Sequence, residues 1–134
     1  MMLADVRDFI ATLGVAEDRN VYMGKLENKK QKSIGVYNSK HEHAYTQAIG
    51  GKENASYSSK YVTLLVHWNK SCRDAERASM KLFSKLEEVR EAEINKAKIK
   101  FVRLLTDPVD VGTDDAGIYE TVIEIEIIYE RQEK

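Results

Sequence analysis

Cysteine is almost absent from this sequence, and long apolar runs are absent altogether. Cys72 is the sole cysteine, so an internal disulfide has no partner and a metal site has no second thiolate. No apolar run approaches the roughly 18 residues of a membrane-spanning helix. Asp5, Arg7 and Asp8 interrupt the apolar pattern at the N-terminus, so we expect no secretory signal there. These features predict a protein made in a reducing cytoplasm, with no membrane partner.

An excess of charge of one sign is lacking too. The chain carries 21 basic and 22 acidic residues, for a formal net charge of -1. This balance gives no overall field that would concentrate nucleic acid or an anionic membrane. No glycine-rich phosphate loop stands between a predicted strand and a predicted helix, which argues against nucleotide binding. A nucleic-acid-binding module is therefore disfavoured.

The composition that is present fits one globular domain. The chain has 134 residues, of which 43% are hydrophobic and 32% are charged. This length supports one hydrophobic core and not two. No internal repeat or low-complexity tract divides the chain. We predict a single domain over residues 1–134.

The first half of the chain combines one helical pattern, two short strand patterns and a long polar segment. Apolar residues recur at helical spacing over residues 3–13, and Gly14 follows as a C-cap. The strand patterns at 21–23 and 34–37 flank a lysine-rich turn, which predicts a hairpin. Residues from about 38 to 60 have no sustained period, and we predict a long loop or flexible arm there.

The second half predicts further strands and one more helix. Ser71 and Asp74 mark a helix start, because both side chains suit the free N–H groups and the dipole of a first turn. In chain order the elements are a strand over 61–68, a helix after Ser71 whose apolar stripe ends at Val89, a strand over 99–105, a loop over 108–117 and a strand over 118–129. The order α-β-β-(long loop)-β-α-β-β predicts the α+β class, with a mixed, mainly antiparallel sheet flanked by two helices.

Histidines give the first candidate for a chemical site. His41 and His43 are two residues apart, so both imidazoles would point the same way on an extended segment and could share a metal. A third ligand is missing nearby, and His67 lies on a separate predicted strand. A solvated loop is the favoured interpretation. The alternative from another functional class is a small metal-dependent hydrolase that uses these three histidines.

Aspartates give the second candidate. Asp107, Asp110, Asp114 and Asp115 lie close together among glycines, which could suggest calcium. The spacing of acids in a calcium-binding loop of the EF-hand type is not met. We therefore predict a strand-to-strand connection in which aspartate and glycine supply the turn geometry.

The closing strand has two different faces. Its odd positions from Tyr119 to Tyr129 are apolar or amphipathic and are predicted to face the core. Its even positions form an acidic stripe, which consists of Glu120, Glu124, Glu126 and Glu130.

Four carboxylates on one strand face repel one another unless a neighbour or water offsets their charge. The preceding strand could place Lys100 opposite Glu124 and Lys98 opposite Glu126, with Phe101 opposite Ile123 and Ile99 opposite Ile125 in the core. A solvated ladder of charges is one interpretation. The other is that Glu120 and Glu130 help line a passage through which DNA slides, because acidic walls repel phosphate.

The C-terminal segment DPVDVGTDDAGIYETVIEIEIIYER resembles the tail-terminator family of long-tailed bacteriophages, which includes proteins labelled phage minor capsid protein. Upstream, a V-Y-x-G segment at 21–24, an I-x-V-Y segment at 34–37 and a strand-helix pair at 60–91 follow the same order. The residues that carry the C-terminal resemblance are Pro108, Val111, Gly112, Asp114, Asp115, Gly117, Tyr119 and Tyr129.

The resemblance implies a structural virion protein without enzymatic activity, cofactor or metal. Its subunits would form a hexameric ring that caps the tail tube and joins it to the head. The implied partners are copies of the chain, which could be a monomer in isolation, together with the tail-tube protein and a head-completion protein; DNA would only pass through. The implied location is the head-proximal end of the tail, after assembly in the host cytoplasm. A head-closure or connector component is the structural alternative.

A ring of identical subunits needs a heterologous interface that closes. Exposed strand edges and flexible arms suit this task, because an arm can add backbone hydrogen bonds to a neighbouring sheet. We predict that the arm at about 38–60 becomes ordered on assembly. The predicted interface residues are His41, His43, Tyr45, Tyr57 and Tyr61.

Overall fold

The computed structural model describes residues 1–24, 30–39 and 57–130, which form two α-helices, one short 3-10 helix at Asp18–Asn20 and seven β-strands. The predicted α+β class is confirmed. No helix of these residues has the length and apolar character needed to cross a membrane. The elements are α1 (Leu3–Thr12), β1 (Val21–Met23), β2 (Ser33–Asn38), β3 (Tyr57–His67), α2 (Cys72–Glu87), β4 (Arg90–Ile94), β5 (Ala97–Leu104), β6 (Val109–Thr113) and β7 (Tyr119–Glu130).

All described strands belong to one sheet with the order β1-β2-β3-β7-β5-β4, and β6 also pairs with β7. Every pair is antiparallel except β1 and β2, which are parallel with Val21 opposite Ile34. The predicted hairpin of β1 and β2 is therefore wrong. A period of two identifies the buried face of a strand but carries no information on its direction.

Both helices pack against the same face of the sheet and share one hydrophobic core. Burial of each large aliphatic side chain contributes roughly 1.5–3 kcal/mol. In β3 and β7 the buried residues alternate as the sequence predicts, because successive side chains of a strand point to opposite faces. The fully buried side chains include Ile10 of α1, Leu82 and Leu86 of α2, Val62 and Leu64 of β3, and Ile123, Ile125 and Ile127 of β7.

The sheet curls so that α1 contacts β1 and β2 on one side and β4 on the other. Asn95, in the β4–β5 turn, donates its side-chain amide to Asp5 at 3.1 Å and to Asp8 at 2.8 Å. On the opposite side, Arg7 Nε donates to the carbonyl oxygen of Val21 at 2.8 Å. Helix α1 is thus bonded both to the β4–β5 turn and to β1.

The connection before β7 is shorter than the predicted loop over 108–117, because β6 lies within it. The turn itself is centred near Ala116. Asp114 Oδ1 accepts from the backbone N–H groups of Ala116 and Ile118, both at 2.9 Å, and Gly117 adopts φ of 81°. A positive φ is strained for residues with a Cβ atom, which accounts for glycine at this position.

The predicted register between β5 and β7 is wrong by several residues. Phe101 lies opposite Ile128, not Ile123, and Ile99 lies opposite Tyr129, not Ile125. The turn lies later in the chain than the centre of the predicted loop, which shifts the register toward the C-terminal end of β7, and extra residues on the β5–β6 side reverse part of this shift. From Leu104 to Val109 that side advances five residues, while β7 advances three from Val122 to Ile125.

Strand boundaries also differ from the predicted loop or arm at about 38–60. Strand β2 continues to Asn38 and β3 begins at Tyr57, so residues 57–60 belong to the sheet. Residues 40–56 lie outside the described residues, and the arm there stays a prediction. The sequence analysis also missed β4, whose charged residues hide the alternation of Ala92 and Ile94.

Candidate assembly surfaces

The predicted arm residues fall into two groups. His41, His43 and Tyr45 lie outside the described residues. Tyr57 and Tyr61 lie on β3, on the face of the sheet opposite the helices, and Tyr57 is half-exposed. The hydroxyl of Tyr61 hydrogen-bonds to Glu126, and this bond, together with burial, raises the pKa of Tyr61.

The acidic stripe lies on the same helix-free face, and two of its carboxylates have close partners. Glu126 is only 6% exposed, and Arg103 Nη1 lies 3.4 Å from Glu126 Oε1. Both carboxylate oxygens of Glu124 accept from Thr63 Oγ1, at 3.0 and 2.8 Å. Part of the charge of the stripe is therefore offset within the subunit.

The predicted lysine ladder beside the stripe is wrong. Lys100 Nζ lies 2.7 Å from Glu91 Oε1, across the β4–β5 hairpin, and its hydrogen bond to Glu91 raises the pKa of Lys100. Lys98 lies opposite Glu93 on β4 instead of opposite Glu126. At the other end of the stripe, burial raises the pKa of Glu120.

His67 joins three parts of the fold at one end of the sheet. Its ring is 2% exposed, with Nδ1 2.8 Å from the carbonyl oxygen of Lys30 and Nε2 2.8 Å from Asp114 Oδ2. Both partners accept hydrogen bonds, so only a ring protonated at both nitrogens can donate to each. The hydrogen bond from His67 is the largest cause that lowers the pKa of Asp114.

These contacts bear on the two metal-site hypotheses. Both nitrogens of His67 are engaged, and residues 1–24, 30–39 and 57–130 hold no group of three side chains placed to bind a metal. The turn role predicted for the aspartates is confirmed at Asp114, and also at Asp110, whose Oδ1 accepts from Gly112 N at 2.8 Å.

A groove that the sequence analysis missed lies between the first half of α2 and the β6–β7 hairpin. Its volume is about 460 Å³. The lining combines apolar surface with three carboxylates, from Glu76 on α2, Asp107 before β6 and Asp110 on β6. The other lining residues are Cys72, Ala75, Ser79, Met80, Pro108, Tyr119 and Thr121.

Strand β6 forms the exposed border of this groove. All five of its residues are exposed, and Val109 and Val111 expose 50% and 52% of their surface. Across the groove, Met80 of α2 is 46% exposed. Within the described part of the sheet β6 pairs only with β7, so its other edge offers backbone donors and acceptors.

A neighbouring exposed surface of α2 carries a basic stripe formed by Arg73, Arg77 and Lys81. These side chains are four residues apart, which places them on neighbouring positions of one helix surface. All three are exposed, and none lies in an ion pair with another described residue. Their four-residue spacing could have revealed this stripe from the sequence alone.

Comparison with protein families identifies the class of protein to which these surfaces belong. The family model described as "Bacteriophage tail terminator protein" matches residues 9–131. The chain belongs to the bacteriophage tail terminator family. The resemblance seen in the C-terminal segment is thus confirmed. No curated protein matches the chain.

Membership of the tail terminator family makes the chain a structural protein of a bacteriophage and a component of the virion tail. The match covers both sides of the groove, from α2 to the β6–β7 hairpin, and it also covers the acidic stripe. For a tail terminator, surfaces that contact other proteins are the functional sites. The groove, the β6 edge and the basic stripe are accordingly the candidate sites of this chain.

Proposed function

We propose that this chain ends growth of the tail tube by forming a ring of identical subunits, a hexamer, at the head-proximal end of the tail. The ring joins the tail to the head through a head-completion protein, and the isolated chain is a monomer that assembles in the host cytoplasm. The observation that carries this proposal is the tail terminator match over residues 9–131.

A closed ring requires each subunit to present two different surfaces that fit each other. The described residues supply surfaces of this kind, because the groove and the basic stripe are two different surfaces of α2 that point in different directions. Exposed Val109 and Val111 add apolar surface at the β6 edge, as protein interfaces require at their centres. We propose that the arm residues His41, His43 and Tyr45, with Tyr57 and Tyr61, add contacts to the tube protein or to a neighbouring subunit.

The acidic stripe has a separate role in this proposal. Glu120 and Glu130 lie at the two ends of β7 on the helix-free face, and Glu124 and Glu126 lie between them. If this face borders the lumen of the ring, its carboxylates repel phosphate and let DNA pass without binding. The partners offered by Thr63 and Arg103 keep the stripe from destabilising the subunit itself.

Deletion of the gene tests the proposed function. Without a terminator, tubes should grow beyond their normal length and remain separate from heads, which electron microscopy of lysates measures directly. The wild-type chain supplied from a plasmid should restore tails of uniform length joined to heads. Tails of normal length, joined to heads in the absence of this chain, would contradict the proposal. Tails of normal length that lack heads would favour the head-closure alternative.

A further inference from the structure

Two adjoining exposed surfaces of α2 carry opposite charges. Glu76 and Met80 border the groove, while Arg73, Arg77 and Lys81 project from the neighbouring exposed surface of the helix. Each residue of the stripe directly follows a groove residue in the sequence, so the two rows run side by side, about 100° apart around the helix axis. Each subunit therefore presents one basic and one acidic surface in different directions.

These charges are not neutralised by ionic partners in the described part of the subunit. Among the described residues, Glu76, Asp107 and Asp110 form no ion pair within 4.0 Å, and the three cations of the stripe form none either. Like charges four residues apart on a helix destabilise it slightly. The stability of the single subunit therefore does not account for the stripe, whereas a complementary surface would.

The groove also has the apolar surface that a protein partner needs. Ala75 and exposed Met80 line it on the α2 side, and Pro108 lines it on the side of the β6–β7 hairpin. Apolar surface at the centre with charged groups around it is the usual arrangement of a protein interface. A nucleic acid would instead meet three carboxylates next to the basic stripe, on a chain whose net charge is -1.

We propose that the basic stripe of one subunit docks in the acidic groove of the next copy of this chain. The inference rests on the proposed ring and names the surfaces that form it. Because the stripe and the groove are different surfaces, the contact is heterologous and leaves one unfilled groove and one free stripe at each step until the ring closes. Charge complementarity of this kind sets the orientation of the subunits and speeds their encounter.

Charge reversal on the two surfaces tests this contact. Variant A carries Arg73→Glu, Arg77→Glu and Lys81→Glu, so that both of its surfaces are acidic. Variant B carries Glu76→Lys, Asp107→Lys and Asp110→Lys, so that both of its surfaces are basic. Each variant alone would bring like charges together at every contact. In a mixture, every contact between A and B is complementary, and an even-numbered ring can alternate them.

The assay is complementation of the gene deletion, with phage titre and tail length as readouts. We expect A alone and B alone to lower the titre by more than about tenfold, because every contact then brings like charges together. Co-expression of A and B should restore the titre and the normal tail length. The single reversal Arg77→Glu should lower the titre more than Lys98→Glu, a matched reversal on the exposed side of β5.

Circular dichroism and thermal unfolding show whether A and B fold. If a triple variant does not fold, the single variants Arg77→Glu and Asp110→Lys repeat the test. Full titre with A alone and with B alone would overturn the inference, and so would failure of folded A and B to rescue each other. Loss of salt-dependent DNA binding in A, with ring formation intact, would assign the stripe to nucleic acid instead. If the wild-type chain does not restore tail length, the proposed function fails, whatever the variants do.

Discussion

Strands β6 and β7 are adjacent parts of one hairpin, yet they contribute to the protein in opposite ways. In the middle of β7, Ile123, Ile125 and Ile127 are completely buried, and the strand is bonded on both sides. In β6 every residue is exposed and one edge has no partner strand within the described sheet. The comparison indicates that β7 holds the subunit together, while β6 is available for contacts with other subunits.

The largest expected effect tests the structural half of this comparison. Ile125→Ala removes a completely buried side chain from the centre of the core. We expect the free energy of unfolding to fall by about 2–5 kcal/mol, because apolar contacts are lost and a cavity remains. Urea unfolding followed by circular dichroism measures the change. A loss below about 1 kcal/mol would mean that β7 is not the centre of the core.

The turn that joins the two strands gives a prediction on pH. The bond from His67 lowers the pKa of Asp114 from its ordinary value of 3.8, so the ionised carboxylate stabilises the fold. This stabilisation is present above the pKa of an unfolded aspartate and is lost as the pH falls toward the lower, folded value. Wild type should therefore exceed Asp114→Asn in stability at pH 7, and the difference should shrink below pH of about 4.

Exposed Asp115, the next residue along the chain, supplies the matched control for that measurement. Asp115→Asn should unfold at nearly the same urea concentration as wild type at every pH. A stability difference for Asp114→Asn that stays constant from pH 7 to pH 3 would contradict the hydrogen bond from His67 to Asp114.

A pair of valines sharpens the comparison further. Val109 on β6 is half-exposed, whereas Val62 on β3 is completely buried. Val109→Ser should change the free energy of unfolding by no more than about 0.5 kcal/mol and yet lower phage titre, because it removes apolar surface only from the interface. Val62→Ser should reduce stability strongly, since it also buries a hydroxyl. Full titre with Val109→Ser would show that the β6 edge is not used in assembly.

The smallest expected effect concerns the acidic stripe. Burial raises the pKa of Glu120, so ionisation of this carboxylate opposes folding at neutral pH. Glu120→Gln should therefore unfold at a slightly higher urea concentration than wild type at pH 7, and this advantage should disappear as the pH falls and Glu120 becomes protonated. Because Glu120 is only partly buried, the change will be small. A decrease in stability at pH 7 would indicate an ionic partner for Glu120.

The same comparison explains how far the sequence could predict the fold. The alternation in β7 and the N-cap of α2 at Ser71 are local signals, and both lie where they were predicted. The register of β5 against β7 depends on bulges and on the position of the Asp114 turn, which hydrophobic pattern does not encode. Strand β6 alternates only over Val109, Asp110 and Val111, too short a run beside Pro108 and the turn residues to be told from a loop.

The candidate site was predicted less completely than the fold for a related reason. The groove combines residues 72–80 with residues 107–121, which only the packing of α2 on the sheet brings together. The acidic stripe was found because one strand holds all four glutamates, but its partners Thr63 and Arg103 come from two other strands. Sites within one element are visible in a sequence, whereas sites between elements depend on tertiary structure.

Cryo-electron microscopy of the intact particle tests the central claim most directly, because it locates the chain and its neighbours together. The account predicts a closed ring of identical copies between the tail tube and the head, with Arg77 of each copy facing Glu76 and Asp110 of the next and with Met80 buried at that contact. A ring in which α2 and β6 face solvent, or a virion tail that lacks this chain, would contradict it.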